Sequence, residues 1–431
     1  MHILFLSHYF PPEVNAPASR TSEHCRQWVA DGDDVTVITC VPNHPHGRIF
    51  PGFRNRLFQR SWWEGVRVLR VLTYITPNEG FLKRTANYVF YMIAATAAAL
   101  FTRRADVVVT TSPQFFNGLA GYLVSMAHRA PWVLEIRDLW PESILELGAI
   151  KNRRVIALLH AMARFAYRKA DHIVVVTESF RLNLLALGIP SEKITVIKNG
   201  ADLSVFRSAP RDETFLASTG LQGRFVASYV GTHGLAHGLE IVLEAAHLLR
   251  DRHNIGFLLV GDGADRRRLL ARRDEMGLKN VVMLDLQSRD RMPAVWSATD
   301  ASLIVLRDKP VFRTVIPSKM FETMAMKKPI ILGVAGESQQ MVEEAGAGLC
   351  IPPEDSRALA EAVQRLADDT ALAMQLGTNG YRYVTQNHDR IVLARFFSTL
   401  LRTVAAANRS RRSKTATRGE QEQYEAPRNW P

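Results

Sequence analysis

The sequence of 431 residues contains little cysteine and lacks the glycine signatures of two common classes of nucleotide-binding enzyme. Cys25, Cys40 and Cys350 are odd in number and far apart, so they predict no disulfide framework or metal site and fit a reducing compartment. No Gly-x-Gly-x-x-Gly follows the first apolar run, and no Gly-x-x-x-x-Gly-Lys-Ser/Thr occurs. Dinucleotide dehydrogenases and P-loop enzymes are therefore disfavoured.

Long hydrophobic runs are also missing. Residues 1–7, Met-His-Ile-Leu-Phe-Leu-Ser, are too short for a signal peptide and lack a basic start, so we expect a buried first strand. The apolar stretch Ala86–Phe101 is shorter than the roughly 20 residues that a membrane-spanning helix needs. It is either a core helix of the first domain or a helix lying in a membrane interface.

The net charge of +12 is concentrated in one segment. Residues 48–104 contain ten Lys or Arg against Glu64 and Glu79, which is 10 − 2 = +8. The same segment includes Trp62 and Trp63. Basic and aromatic residues beside an apolar helix suit an anionic bilayer surface, and nucleic acid is the weaker alternative.

Strand-like runs rich in β-branched residues alternate with helix-length segments, which predicts an α/β fold with parallel, doubly wound sheets. The first series is Ile3–Leu6, Val35–Thr39, Val107–Thr110, Val133–Ile136, His172–Val176 and Ile194–Ile197, and the second is Phe225–Val230, Gly256–Val260, Val281–Leu284, Ala301–Leu306 and Ile330–Leu332. A turn at Asn199-Gly-Ala-Asp202 separates them. We therefore expect domains at 1–200 and 201–385, a helix at about 386–405 packed back on the first domain, and a disordered basic tail at 406–431.

One predicted helix start carries the residues of a phosphate-binding site. Residues Pro317–Glu322 read Pro-Ser-Lys-Met-Phe-Glu. A helix N-terminus offers unpaired N–H groups and a positive dipole end, Pro317 needs no donor there, and Lys319 adds a full charge. Glu322, one turn later, can meet sugar hydroxyls. The alternative is an ordinary turn with surface charges.

Two glycine-bearing turns follow strands of the second series. Such glycines let backbone N–H groups approach a phosphate at the carboxyl end of a parallel sheet. The candidate residues are Gly231, Thr232, His233, Gly234 and His237 in the first turn, and Gly261 and Gly263 in the second. His233 and His237 have no third ligand at a suitable spacing, so no metal site is predicted.

Loops after strands of the first series carry polar residues that could face a cleft. Glu135–Glu142 reads Glu-Ile-Arg-Asp-Leu-Trp-Pro-Glu, and Trp140-Pro141 should hold this loop. Arg137, Asp138 and Glu142 then face the cleft, unless they are only a solvated strand end. The rigid loops Tyr9–Arg20 and Pro42–Gly47 add the candidates Asn15, Arg20, Asn43 and His44.

Together these segments resemble the family-4 retaining glycosyltransferases of the GT-B fold, from His2 to about Ala405. The resemblance is strongest at Phe10–Glu13, Asp34–Thr39, Asp138, Asn199–Asp202, Gly231, Gly261–Gly263 and Phe321–Ala325. Pro42–Gly47, Arg137–Pro141 and Pro317–Lys319 are similar to the branch that builds bacterial surface polysaccharides, such as the colanic-acid and O-antigen fucosamine transferases.

The resemblance implies two Rossmann-like domains facing a cleft and an enzyme that transfers a sugar from a nucleotide diphosphate, UDP being favoured and an N-acetylated amino sugar being one candidate. It implies catalytic roles for Asp138, Lys319 and Glu322: Glu322 would bind the ribose, Ser318 and Lys319 the diphosphate, and Asp138 the donor sugar or acceptor hydroxyl. Gly231–Gly234 would cradle the diphosphate. Asn15, Arg20, Asn43, His44, Arg137 and Glu142 would lie on the acceptor side.

The implied acceptor is a glycan linked to polyprenyl diphosphate at the inner face of the cytoplasmic membrane. The protein would then be cytoplasmic and peripherally membrane-associated, with no nucleic-acid partner and neither cofactor nor metal. A sugar-nucleotide epimerase of the same fold and a non-catalytic scaffold remain alternatives.

Three positions depart from the family pattern. Thr314 stands where the first Glu of the usual pair is expected, Thr232 and His237 where the usual Arg and Lys of the diphosphate turn are expected, and Arg137 where a cleft His is expected. Lys319 is therefore the candidate for neutralising the diphosphate, with support from Arg307, Lys309 or Arg313.

Overall fold

The computed structural model describes residues 1–44, 47–76, 81–142 and 152–424, and it describes side chains within these ranges except at 81–82 and 413–424. The strands are β1 (His2–Leu6), β2 (Asp34–Cys40), β3 (Phe58–Trp63), β4 (Val66–Val71), β5 (Val107–Thr111), β6 (Trp132–Ile136), β7 (His172–Val175), β8 (Ile194–Val196), β9 (Phe225–Val230), β10 (Ile255–Val260), β11 (Val281–Leu284), β12 (Ala301–Val305), β13 (Ile330–Gly333) and β14 (Gly348–Cys350). The helices are α1 (Ala16–Ala30), α2 (Phe81–Ala99), α3 (Asn117–His128), α4 (Arg153–Lys169), α5 (Glu178–Ala186), α6 (Glu213–Thr219), α7 (Glu240–Leu248), α8 (Arg266–Glu275), α9 (Met292–Ser297), α10 (Lys319–Ala325), α11 (Glu337–Ala345), α12 (Ser356–Asp368), α13 (Thr370–Asn387) and α14 (Arg390–Tyr424).

The strands form two sheets. The first has the order β3-β4-β2-β1-β5-β6-β7-β8 and is parallel except for the β3–β4 pair, and the second has the order β11-β10-β9-β12-β13-β14 and is parallel throughout. Most strand residues are fully buried because helices cover both faces, which explains their nearly continuous apolar runs. The predicted α/β fold with two doubly wound sheets is confirmed.

Every strand that the sequence predicted is present, but three more occur. The hairpin β3–β4 and the short edge strand β14 were not predicted. Arg60 and Arg67 interrupt the apolar pattern of the hairpin, and β3 is an edge strand with alternate side chains in solvent. A charged edge strand lacks the apolar run that marks a central one.

The loops at the carboxyl ends of the strands hold the predicted site residues. In the first sheet these segments follow β1, β2 and β6, and in the second they follow β9, β10 and β12. Both groups flank the points where the strand order reverses, which is where ligands bind in open α/β sheets.

The last helix, α14, packs on the first domain. The indole N–H of Trp28 in α1 donates to the carbonyl of Ala394 at 2.8 Å, and Phe397 and Leu401 are buried in the same core. By length and composition alone the stretch Arg390–Arg412 could cross a membrane. Its packing against α1 identifies it as a helix of this domain.

Contrary to expectation, residues 406–424 are helical, because α14 continues to Tyr424. Three alanines at 405–407 favour helix, and no proline or glycine interrupts the chain before Gly419. The guanidinium of Arg409 also lies 3.3 Å from the carboxylate of Asp106. Residues 425–431 of the predicted tail, and Pro45 and His46 of the predicted loop at 42–47, lie outside the described residues.

Candidate active site

The predicted phosphate-binding turn is the start of helix α10. The helix begins at Lys319, with Ser318 as its N-cap residue, and Pro317 precedes the cap rather than occupying the first helical position. The hydroxyl of Ser318 makes no capping bond, and the amide of Met320 donates to the carbonyl of Pro317 at 3.0 Å. The Ser318 hydroxyl is therefore not engaged as a helix cap.

The side chain of Lys319 points back into the turn after β9. Its ammonium nitrogen lies 3.7 Å from the centre of the Tyr229 ring. A Cβ at Gly231, whose φ is +140°, would stand 2.8 Å from that nitrogen. Burial lowers the pKa of Lys319 to about 7, although Glu322 opposes the shift. The ammonium of Lys319 therefore lies both at the start of α10 and at the glycine turn after β9.

The two glycine turns pack backbone against backbone. A Cβ at Gly261, whose φ is +146°, would overlap the carbonyl oxygen of Gly231. A Cβ at Gly263 would overlap the backbone of His233. These glycines therefore have a packing reason in the protein itself, and their contact with a donor remains a prediction.

The two histidines of the first turn are neutral at physiological pH. Burial lowers the pKa of His233 to about 4 and that of His237 to about 3, and the charge of Lys319 adds to both shifts. Thr232 is exposed, and its carbonyl accepts a bond of 2.8 Å from the Tyr229 hydroxyl. Across the described part of the chain, no three His, Cys, Asp or Glu side chains are grouped so as to hold a metal ion.

Two of the three candidates for supporting charge, Arg307 and Arg313, already have partners, and the third is exposed. Arg307 donates to the carbonyl of Leu235 at 2.8 Å and pairs with Glu240 and Glu354 at 3.2 and 3.1 Å. Arg313 pairs with Asp308 at 3.0 Å. Lys309 is exposed. Lys319 is therefore the cation best placed for the turn after β9.

Glu322 lies on the same helix, one turn from Lys319, in a cluster that the sequence did not reveal. The indole N–H of Trp296 lies 3.4 Å from its carboxylate. Burial raises the pKa of Glu322, and the charges of Arg390, Arg289 and Lys319 oppose the shift. No local motif marks Trp296, Arg289 or Arg390.

Both arginines of this cluster make ion pairs with the first domain. Arg289, before α9, and Arg390, at the start of α14, both pair with Glu23 of α1. Burial lowers the pKa of Arg390 to about 10, and Glu322, Asp202 and Glu135 oppose the shift. The charge of Arg390 therefore acts on Glu322 in the second domain and on Glu135 in the first, while its ion pair is with Glu23.

The predicted charged loop after β6 is held by one hydroxyl. The backbone N–H groups of Arg137 and Asp138 donate to the hydroxyl oxygen of Ser112 at 2.7 and 3.2 Å. Burial raises the pKa of Asp138 to about 6, although Arg137 opposes the shift. Burial also lowers the pKa of Arg137 to about 10, and two of its guanidinium nitrogens are buried without a partner among the described residues. Glu142 lies 3.8 Å from the ring of His160.

Arg20 is not placed to meet an acceptor, so this expectation is corrected. Its side chain is 1% exposed, pairs with Glu135 at 2.8 Å and donates to Asn199 and to the carbonyls of Ile197 and Lys198. A buried guanidinium needs this full set of partners, so Arg20 fixes the segment that leads into the second domain.

The other acceptor-side candidates shape loops. Asn15 caps α1 by accepting a bond from the Ala18 amide at 2.9 Å. The amides of Asn43 and His44 both donate to the carboxylate of Glu13 at 3.0 Å. Burial raises the pKa of Glu13 to about 7. Glu13 was not predicted as a site residue, and it holds the loop after β2 against the loop after β1.

Comparison with known proteins gives one family match in each of the two domains. Residues 15–200 match the family described as "Glycosyl transferase 4-like domain", and residues 224–369 match "Glycosyl transferases group 1". WcaI of Escherichia coli, a glycosyl transferase assigned to colanic acid biosynthesis, is 25% identical over 377 residues, which cover 85% of this chain and 92% of WcaI.

Solved structures show the same fold. Sucrose-phosphate synthase from Thermosynechococcus elongatus has a TM-score of 0.73 at 19% identity, covering 94% of this chain and 99% of that one. HepE of Anabaena, solved with UDP-glucose, has a TM-score of 0.68 at 18% identity, covering 94% and 100%. The fold is GT-B. The chain therefore belongs to the glycosyltransferases that join a glycosyl transferase 4-like domain to a group 1 domain.

Proposed function

We propose that this protein transfers a sugar from UDP to a glycan linked to polyprenyl diphosphate, with retention of the anomeric configuration, in bacterial surface polysaccharide biosynthesis. The observation that carries the proposal is the ammonium of half-buried Lys319 at the glycine turn, with Glu322 one turn later on the same helix. Family membership favours a transferase over the epimerase and scaffold alternatives. The assignment of WcaI to colanic acid biosynthesis supports the polysaccharide pathway.

The donor is a nucleoside diphosphate sugar. HepE has been solved with UDP-glucose, which supports UDP as the nucleotide. Lys319, the start of α10 and the turn from Gly231 to Gly234 would hold the diphosphate, and Glu322 would accept bonds from the ribose hydroxyls. Ser318 stands beside Lys319, and its hydroxyl, which makes no capping bond, would donate to a phosphate oxygen.

The chemistry is an electrostatic task. As the bond between C1 and the diphosphate oxygen breaks, negative charge grows on the diphosphate and positive charge on the sugar ring. Lys319 neutralises the leaving group from a fixed position with no need for a metal ion, which is how preorganised charges lower a barrier. The acceptor oxygen then bonds to C1 on the face that the diphosphate leaves, and a diphosphate oxygen takes its proton.

The acceptor hydroxyl is held by Asp138. This carboxylate sits in the first domain, in a loop fixed by Ser112. Its pKa of about 6 leaves it mostly ionised at neutral pH, where it accepts a hydrogen bond from the hydroxyl that attacks. The two substrates therefore bind to different domains.

The proposed working place is the inner face of the cytoplasmic membrane. Helix α2 buries Tyr91 and exposes Ile93 by 60%, and Phe101, just beyond it, is 75% exposed. Trp62 of β3 is 71% exposed. Arg60, two residues before Trp62 and on the same face of β3, lies opposite Leu69 of β4 in the sheet. The side chain of Leu69 belongs to the core that α2 covers. Because opposite residues share a face, the exposed side chains of β3 lie on the α2 side of the sheet.

This surface combines exposed apolar groups with the +8 charge of residues 48–104. Polybasic segments gain about 1 kcal/mol per Lys or Arg near an anionic membrane, and added salt screens that part. The surface suits a protein that lies on the bilayer rather than one that spans it.

Sedimentation with anionic liposomes tests the location. The triple variant R54E, R56E and R60E should no longer sediment with the liposomes, since these exposed side chains lie in the charged segment. The matched control R267E, R365E and R382E makes the same charge change on exposed residues of the second domain and should remain bound. A wild-type chain that stays in the supernatant at low salt would contradict the location.

The transfer itself is tested with a panel of nucleotide sugars and lipid-linked glycans, read by mass spectrometry. We expect one UDP-sugar to be consumed, with an α-linked donor giving an α-linked product. The K319A variant should lose most of this turnover. Absence of any consumed donor across a full panel, or a product of inverted configuration, would contradict the proposal.

A further inference from the structure

Helices α2, α3 and α4 lie side by side on one face of the first sheet. Their buried residues share a single core with the strands, among them Tyr91 of α2, Val124 of α3 and Ala163 of α4. The buried residues of α1 and α14 belong to a separate core on the other face of the sheet. The rings of Tyr122 in α3 and Phe165 in α4 meet edge to face at 5.1 Å. The outer sides of the three helices therefore form one surface.

This surface has basic residues but no carboxylate from its own helices. The sequences of α2, α3 and α4 contain no Asp or Glu. Helix α4 has five exposed basic residues, none of which pairs with a carboxylate among the described residues: Arg153, Arg154, Arg164, Arg168 and Lys169. Helix α8 of the second domain also has five arginines, but four of them have carboxylate partners. The charge of α4 is therefore available to a partner outside the chain.

Exposed apolar side chains lie between these charges. One exposed face of α4 is made of residues spaced by three or four positions: Arg154, Leu158, Ala161, Phe165 and Arg168. Leu158 is 59% exposed. The neighbouring helix α3 adds Leu123 and Met126, which are also exposed. An exposed apolar patch with a charged rim marks an interaction site.

We propose that α4, together with α2 and α3, docks on an anionic lipid bilayer. The proposal rests on the membrane location proposed above and adds a second contact to it, because α4 lies outside residues 48–104. Leu158 and Phe165 would enter the boundary between headgroups and acyl chains, while the guanidinium groups would remain among the lipid phosphates. A nucleic acid would use the charges but would leave these two apolar side chains without a partner.

Docking on this surface determines how the acceptor site meets the membrane. The three helices form a layer on the sheet, so a bilayer against them runs parallel to the sheet. The loop of Asp138 follows β6 at the carboxyl edge of that sheet. The guanidinium carbon of Arg84, near the start of α2, lies 5.7 Å from the ring centre of Trp140 in the same loop. A lipid-linked acceptor would therefore reach Asp138 by moving along the bilayer surface.

A fluorescent probe on α4 tests the contact. Leu158→Cys, labelled with an environment-sensitive dye in a Cys350→Ser background, is mixed with vesicles of equal parts phosphatidylglycerol and phosphatidylcholine. Cys25 and Cys40 are buried and should not react with the dye. We expect a blue shift of the emission and quenching by lipids brominated on their acyl chains. Leu248→Cys is the matched control and should show neither change, because Leu248 is a leucine of the second domain with a similar exposure of 53%.

The outcomes separate this proposal from the others. An unchanged probe at position 158, in protein that still sediments with the vesicles, would overturn the contact of α4 and leave that of β3 and α2 intact. A probe that responds to RNA but not to vesicles would assign the surface to nucleic acid and would also overturn the proposal. If the α4 probe responds to vesicles but no UDP-sugar is consumed, the membrane contact stands and the transferase proposal fails.

Charge reversal gives a second test. The double variant R164E and R168E changes two exposed, unpaired side chains of α4, so the fold should not depend on them. Each Lys or Arg near an anionic membrane contributes about fivefold in affinity, so we expect vesicle binding to weaken about tenfold or more. The matched control R357E and R365E makes the same change on exposed residues of α12 and should bind as the wild type does. Equal binding by the two variants would contradict the proposal.

Discussion

The affinity of this protein for UDP should fall as the pH rises above 7, and Lys319 is the reason. Burial lowers the pKa of this lysine to about 7 in the free protein. A diphosphate beside the ammonium favours the charged form and raises the pKa in the complex. The bound state therefore carries a proton that the free protein loses as the pH rises.

The size of the effect follows from the pKa. With a value of about 7 in the free protein, the fraction of protonated Lys319 falls from about one half at pH 7 to about one hundredth at pH 9. The affinity for UDP should then fall about fifty-fold over this range, so long as the lysine stays protonated in the complex. The terminal phosphate of UDP ionises near pH 6, so its own titration lies below this window.

Calorimetry in buffers of different ionisation enthalpy measures both the affinity for UDP and the number of protons taken up on binding. We expect binding to take up about half a proton at pH 7 and close to one at pH 8, with the affinity trend given above. Lys319→Arg keeps a permanent charge and should bind UDP with little dependence on pH. Lys319→Ala should bind about 10- to 150-fold more weakly at pH 7, because a charge-assisted bond contributes about 1.5–3 kcal/mol.

Lys279→Ala serves as the matched control, because Lys279 is an exposed lysine of the same domain. It should reproduce the wild-type affinity and pH dependence. A wild-type affinity that stays flat from pH 7 to pH 9 with no proton uptake would refute the reasoning about Lys319.

Three other variants test the remaining roles. Glu322→Gln should weaken UDP binding and make UDP and its 2′,3′-dideoxy analogue nearly equivalent, and a retained strong preference for UDP by calorimetry would contradict the ribose contact. Asp138→Asn should spare UDP binding but slow transfer, and it should remove the loss of activity that we expect below pH 6 in the wild type, where protonation disables a carboxylate whose pKa is about 6. An unchanged pH–rate profile would remove Asp138 from the reaction. Arg20→Met should destabilise the fold by about 3–5 kcal/mol by stranding the buried charge of Glu135, and pairing it with Glu135→Gln should restore part of that loss in urea unfolding.

Much of the fold could be predicted because its signals are local. A strand buried on both faces needs a continuous apolar run, so Ile3–Leu6 and Phe225–Val230 were recognisable without knowing their neighbours. The strand β3 could not be recognised in this way, because Arg60 and Trp62 lie on a face that remains in solvent. The length of α14 was also missed, since a polar composition predicted disorder where contacts such as the one from Arg409 support a helix.

The candidate site likewise includes residues that local sequence identified and one residue, Arg20, that it misplaced. Lys319 and Glu322 belong to one helical turn, and Asp138 follows directly from a predicted strand, so their proximity to a cleft was a local inference. Arg20 looked like a loop residue, but its partner Glu135 lies 115 positions away and removes it from solvent. Sequence spacing carries no information about such a pair.

The amino-acid sequence alone determined the two α/β domains, the loops that hold the candidate site residues and the helix turn that offers a lysine and a carboxylate, because each depends on residues close together in the chain. The tertiary structure decided that Lys319 reaches the Gly231 turn, that Arg390 pairs with Glu23, and that the hydroxyl of Ser112 holds the loop of Asp138. These features depend on burial and on charges brought together from distant segments, and burial exists only once the chain has folded.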